Sequence, residues 1–294
     1  MIKKRKNILI LVTLFILLVL CVFNTEYVID TVIEYTTLFL KRFFPVSFVF
    51  FTISNLLIEY NIIQFFQKIF RLKSNYIFLY LLSMISGFPS GAIYIRRALE
   101  KDLISSEDAN RIIMFCHFPN PLFVINSVGL ILNSKYIAFI ILTSIYLSNL
   151  ILLIFLYRKT NTNYEIKLTN DFSNNLVTSI MKSTKIIITI YGISLLFIII
   201  SSFIILFIKN TFLYVLIYGF FDLTKGIYSS ILINNILIRS LIILLFISFG
   251  SFSIHMQTKS ILTDTCINYN SYVIGRIIAT IISILIFLII MLFY

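Results

Sequence analysis

Long apolar runs divided by short charged ones set the pattern of this chain. Residues 7–23, 136–157, 186–208 and 272–294 each approach the ~20 apolar residues that cross a bilayer core as a helix. Shorter apolar runs lie between them and are interrupted by residues that stop helices. Residues 76–85 run into Ser86-Gly87-Phe88-Pro89-Ser90-Gly91. A segment opening at Ser105 has the Ser-x-x-acidic spacing of a capped helix start. It runs through Met114, breaks at Pro119 and Pro121, and resumes to residue 132. Residues 212–221 are interrupted at 222–226, and residues 241–249 at 250–253. A spanning helix satisfies its backbone hydrogen bonds internally, so such breaks are tolerated at membrane depth only where protein buries them or they line a cavity. A site is expected at the breaks.

Charge placement threads these runs through a membrane. Lys3-Lys4-Arg5-Lys6 ahead of an apolar stretch reads as a retained signal anchor with its amino end in the cytoplasm, since no small-x-small cleavage site precedes Asn24. Residues 30–44 place Glu34, Lys41 and Arg42 among apolar positions, which predicts an interfacial amphipathic helix ended by Pro45. Residues 46–58 would return to the side of Lys68, Arg71 and Lys73. The run at 76–85 is too short to span, and Arg96, Arg97 and Lys101 follow at once, which predicts a re-entrant hairpin. Residues 136–157 come back to Arg158 and Lys159, as the retention of basic residues in the cytoplasm requires.

Beyond a polar linker the order recurs. An amphipathic stretch (172–185) precedes a span (186–208), a short interrupted run, a broken run and a final span. An odd number of crossings separates the halves, so the second is expected to be inverted. Inverted repeats with broken helices are a transporter design whose site lies near the midplane. The expected fold is an all-α polytopic membrane protein. Its parts are an anchor at 1–30, a first repeat at 31–159, a linker at 160–171 and a second repeat at 172–294.

Composition agrees on class. Hydrophobic residues make up 60% of the chain and charged residues 12%, against about a quarter charged in soluble domains. The net charge of +12 is accounted for by cytoplasmic loops, and no basic stripe with interleaved aromatics suggests nucleic acid. Cys21, Cys116 and Cys266 lie far apart without metal-ligand spacing and read as apolar filler. With no ligand-spaced His/Cys/carboxylate cluster and no nucleophile motif, the chain is not expected to be an enzyme.

The unusual chemistry gathers at the breaks. The two histidines, His117 and His255, each stand beside a break in a different half. Asp222 lies within an apolar run, and an intramembrane carboxylate marks a functional site by default. Ser90, Asn120 and Gln257 offer neutral hydrogen-bonding groups, and freed helix ends at Gly91 and Gly250 offer backbone N–H groups. The candidate solute site comprises Ser86, Gly87, Pro89, Ser90 and Gly91 on the first break and Asn120 and Pro121 beyond it. In the second half it comprises Asp222 and Gly226, then Gly250, Ser251, His255 and Gln257. Structural readings stand beside these. The histidines would cap loose backbone groups, Asp222 and Lys225 would form an ion pair, and Gly87 and Gly91 would serve helix packing. Arg276 would snorkel or pair with Asp264 or Asp222.

The motifs resemble those of the YlbJ family of sporulation integral membrane proteins. The first-half resemblance rests on Ser86-Gly87-Phe88-Pro89-Ser90-Gly91-Ala92, the Ser105–Arg111 helix start and Phe115-Cys116-His117-Phe118-Pro119-Asn120-Pro121. The second-half resemblance rests on Phe220-Phe221-Asp222-Leu223-Thr224-Lys225-Gly226, the stretch from Phe249 to Gln257 and residues 272–278. The resemblance implies a nucleoside-recognition or Gate-domain fold similar to the concentrative nucleoside transporter core. It also implies a bacterial cell membrane and a role in sporulation around spore cortex formation. Handling of a small polar solute is the expected function, and a membrane scaffold for spore envelope assembly is the alternative. No cofactor is expected, and a coupling Na+ or H+ is left open. The chain departs from the family at Asp222, where a Glu is usual, at Lys225, which replaces a neutral residue, and at His117, which replaces a small polar one.

Overall fold

The structure, a computed structural model, describes residues 2–60, 75–158 and 171–293. Lys68, Arg71 and Lys73, and linker residues 160–170, lie outside them. Among the described residues every regular element is helical. Four helical stretches are long and apolar enough to cross a membrane, at 135–156, 172–205, 236–262 and 269–292. A fifth is added if a helix pair bent by 95° near the amino end counts as one span. The chain is therefore a multi-pass membrane protein whose surroundings are a lipid bilayer.

Helices α1 (Ile2–Phe23) and α2 (Thr25–Leu38) make that bent pair. A π-helical turn, Phe39–Phe43, carries α2 directly into α3 (Phe44–Glu59). Pro45, expected to end the helix, stands instead at the start of α3. Proline has no N–H to give to the preceding turn, and the helix widens into the π turn just upstream instead of stopping. The chain thus stays helical from Thr25 to Glu59.

A long helix further on answers it. The stretch expected as an amphipathic segment and a separate span is one helix of 34 residues, Phe172–Ile205. Neither Pro nor Gly interrupts it near residue 185, and Gly192, further on, faces open space. The two long helices run antiparallel. Tyr27 donates to the Ser202 carbonyl (3.0 Å), Thr36 shares a hydrogen bond with Tyr191 (2.6 Å), and Asn55 donates to Ser183 (2.9 Å). Lys182 pairs with Glu59 at the far end (2.6 Å).

Two helical hairpins meet this pair from opposite ends. The first joins α4 (Asn75–Ser86) to α5 (Ser90–Glu100). Its feet meet where Asn75 donates to the Leu103 carbonyl (2.5 Å), and Arg97 lies 3.6 Å from Glu59. The helix that follows, α6 (Ser106–Ile112), begins at Ser105, whose hydroxyl accepts from the Asp108 amide as the capping pattern predicts. After a break the chain resumes at Pro121 with a π turn (Phe123–Val128) and the short α7 (Gly129–Ile131). The span α8 (Lys135–Leu156) closes this half.

After the 34-residue helix, α9, comes the second hairpin, α10 (Thr211–Phe221) and α11 (Leu223–Ser229). It starts beside the end of α9, and Lys225 pairs with Glu34 on α2. Helices α12 (Ile236–Phe249) and α13 (Phe252–Leu262) form one span interrupted only at Gly250 and Ser251. The last span, α14 (Tyr269–Leu292), packs along α8.

Candidate functional site between the hairpin tips

Close backbone contact shapes the first tip. Gly87 has φ +77°, and a Cβ there would lie 2.7 Å from the Asn120 nitrogen. The Phe88 amide donates to the Phe118 carbonyl at 2.6 Å. The two break motifs of the first half are therefore one contact. Gly91 presses against the Cys116 carbonyl, where a side chain would collide. Asn120 caps the resumed helix, accepting from the amides of Leu122 (2.9 Å) and Phe123 (3.3 Å), with Pro121 at the first helical position.

The second tip is built around Asp222, which is 2% exposed. One carboxylate oxygen accepts from the Lys225 amide (3.1 Å), so Asp222 caps α11. The other accepts from Ser253 (3.2 Å) and Tyr35 (3.5 Å). The expected Asp222–Lys225 ion pair does not form, because capping turns the carboxylate inward while the Lys225 ammonium reaches Glu34. Gln257 donates to Ser194 (3.3 Å), and Ser251 shares a hydrogen bond with Ser253 (2.9 Å). Gly226 lies against Gly219 of the opposite arm, away from the cavity.

Both histidines flank Gly250, which has φ +83°. His255 places Nε2 3.1 Å from the Phe249 carbonyl and Nδ1 2.8 Å from the Tyr269 hydroxyl. A carbonyl only accepts, so Nε2 carries the proton and Nδ1 accepts from Tyr269. His255 thus caps the loose end of α12. His117 stacks on Phe88 (4.9 Å between rings) and meets the Tyr272 hydroxyl through Nδ1 at 3.3 Å. Its Nε2 has no hydrogen-bond partner among the described residues.

Arg276 neither snorkels nor pairs with Asp264 or Asp222. It is fully buried and donates to the carbonyls of Met114 (2.7 Å) and His117 (3.2 Å) and to the Asn149 side chain (3.0 Å). These carbonyls are freed by the first-half break, and a cation is favoured at such a helix end. Gly275 beside it lets α14 touch the Met114 backbone.

A cavity of about 260 Å³ opens between the tips. Ser86, Phe88 and Asn120 line it from the first half, and Leu223 and Thr224 from the second. A small void of about 20 Å³ adjoins it through Phe43, Phe88, Leu223 and Thr224, and Asp222, Ser253 and Gln257 border that void. An outward hollow of about 500 Å³ at Glu34 and Lys225 shares Lys41 with the cavity. Of the expected residues, Ser86, Asn120, Asp222 and Gln257 reach these spaces. Gly87, Gly91 and Gly226 allow the backbone approaches, and Gly250 supplies the positive φ of the break between α12 and α13. Pro89, Ser90, Pro121, Ser251 and His255 stand outside the lining. Sequence reasoning missed Lys41, Ser47, Asn126, Ser127, Thr224 and Tyr35. Asn126 and Ser127 lie in the π turn, whose register no simple periodicity reveals. Among the described residues no three His, Cys, Asp or Glu side chains gather as metal ligands would.

No protein-family model matches the chain. No solved structure gives a significant match. Over 116 residues the chain is 30% identical to the sporulation integral membrane protein YlbJ of Bacillus subtilis (strain 168), a match covering 36% of this chain and 28% of that protein. The match thus spans little more than a quarter of that relative's length. The chain is a multi-pass membrane protein, similar over about a third of its length to YlbJ.

Proposed function

We propose that the chain serves sporulation as a transporter-like membrane protein that handles a small polar solute in the cavity between the hairpin tips. One observation carries the reading: tips from the two halves, entering from opposite ends of the α2–α3/α9 pair, line the same 260 Å³ space. The halves correspond element by element, a long helix, a hairpin, a broken helix and a span, which supports two inverted repeats. The similarity to YlbJ supports the sporulation role. The resemblance in motifs adds spore cortex formation and membership of the nucleoside-recognition, Gate-domain group. In this reading the protein is not an enzyme, and its amino end is cytoplasmic.

A scaffold for spore envelope assembly is the second reading, favoured by the packing roles of Gly91 and Gly226. The two readings part in the native host. Asp222→Asn and Gln257→Ala are expected to abolish formation of heat-resistant spores while protein level in the membrane stays normal. Normal sporulation in both variants, or a defect that only tracks reduced protein level, overturns solute handling in favour of the scaffold.

A further inference from the structure

The carboxylate of Asp222 is buried, and none of the ion pairs among the described residues includes it. Lys225, three residues on, is held by Glu34. A buried charge without a counter-charge costs several kcal/mol, so the carboxylate is neutralised either by a proton or by a bound cation. Around the carboxylate stand oxygen groups from three other helices: Tyr35 on α2, Ser194 on α9, and Ser253 and Gln257 on α13. Tyr35 and Ser253 each donate one hydrogen to Asp222 and keep lone pairs for a second neighbour. Between them lies the void of about 20 Å³, against about 10–15 Å³ needed for one water-sized occupant.

We infer that this void is a binding site for one small monovalent cation, Na+ in physiological solution, held by the Asp222 carboxylate and neutral oxygens of Tyr35, Ser194, Ser253 and Gln257. Hard cations take oxygen ligands of this kind. A divalent ion would leave excess positive charge beside a single carboxylate, and a proton would need no void. The inference deepens the solute-handling reading by naming an ion beside that cavity. Leu223, Thr224, Phe43 and Phe88 wall both spaces, so an ion at Asp222 would tie the second tip to α2, α9 and α13 and firm the wall that the solute meets.

The test uses the purified full chain in detergent with no solute present, so its failure leaves the sporulation test standing. Thermal unfolding is followed in NaCl, KCl and choline chloride at equal ionic strength, with binding of radioactive 22Na+ measured alongside. Na+ is expected to raise the midpoint progressively as ligand linkage requires, K+ less, and one 22Na+ is expected to bind per chain. Ser253→Ala and Gln257→Ala are expected to weaken 22Na+ binding about tenfold, and Asp222→Asn to abolish it. Equal wild-type midpoints in Na+ and choline, with no 22Na+ retained, overturn the inference. A midpoint that responds to pH but not to Na+ overturns it too, assigning the site to a proton.

Discussion

Arg276 reaches three acceptors through one planar group, and no carboxylate is among them. Its removal leaves buried carbonyls without donors, at about 1–3 kcal/mol each. Arg276→Met is expected to destabilise the protein by about 3 kcal/mol in an unfolding titration. Arg276→Lys should recover less than half of that, because a point charge cannot reproduce the guanidinium fork. An unchanged unfolding midpoint for Arg276→Met would show that the buried hydrogen bonds carry no stability. The sequence made Asp222 conspicuous, since a carboxylate inside an apolar run stands out, but not its partners. Lys225 follows at ion-pair spacing, yet a residue that caps a helix points at backbone amides rather than along the helix face. Arg276 looked like an edge residue because it stands about one turn into the last apolar run. Its acceptors lie far away in the chain, and two of the three are backbone carbonyls, which leave no mark in a residue pattern.

The breaks were legible because proline and glycine punctuate helices whatever the tertiary context, and the structure keeps all four. The helix charges were misread. Glu34, Lys41 and Arg42 resembled the polar positions of an interfacial helix, and residues 172–185 an amphipathic stretch. Glu34 in fact answers Lys225, and Lys182 answers Glu59, so α2 and α9 are polar partway along where a hairpin or a partner helix brings an opposite charge. Glycines differ in the same contextual way. Gly226→Ala drives a methyl into the Gly219 backbone and is expected to cost about 2–3 kcal/mol. Gly192→Ala meets open space and is expected to leave stability unchanged or raise it by up to about 1 kcal/mol. Thermal unfolding of the two variants side by side checks the pair, and equal losses would refute the assignment of Gly226 to a tight crossing.

For the whole molecule, the hairpin feet lie at opposite ends of the α2–α3/α9 pair, which makes a prediction about sidedness. In a background where the three native cysteines are replaced, single cysteines at Ser105 and Asn210 report the two feet. A membrane-impermeant thiol reagent on intact cells is expected to label Asn210→Cys and spare Ser105→Cys. Equal labelling of both would place the feet on one side and remove the support for inversion. The Gly219–Gly226 contact carries a mechanical consequence. With the arms of the second hairpin in backbone contact, α10 and α11 are held together just behind the tip. If the hairpin moves in the proposed solute handling, it would tilt as a unit about the loops at its feet, 206–210 and 233–235. An arm of 11 residues is about 16 Å long at 1.5 Å per residue. A tilt of about 10° at the feet then displaces Asp222 by about 3 Å, roughly the width of a water molecule, by the same helix geometry.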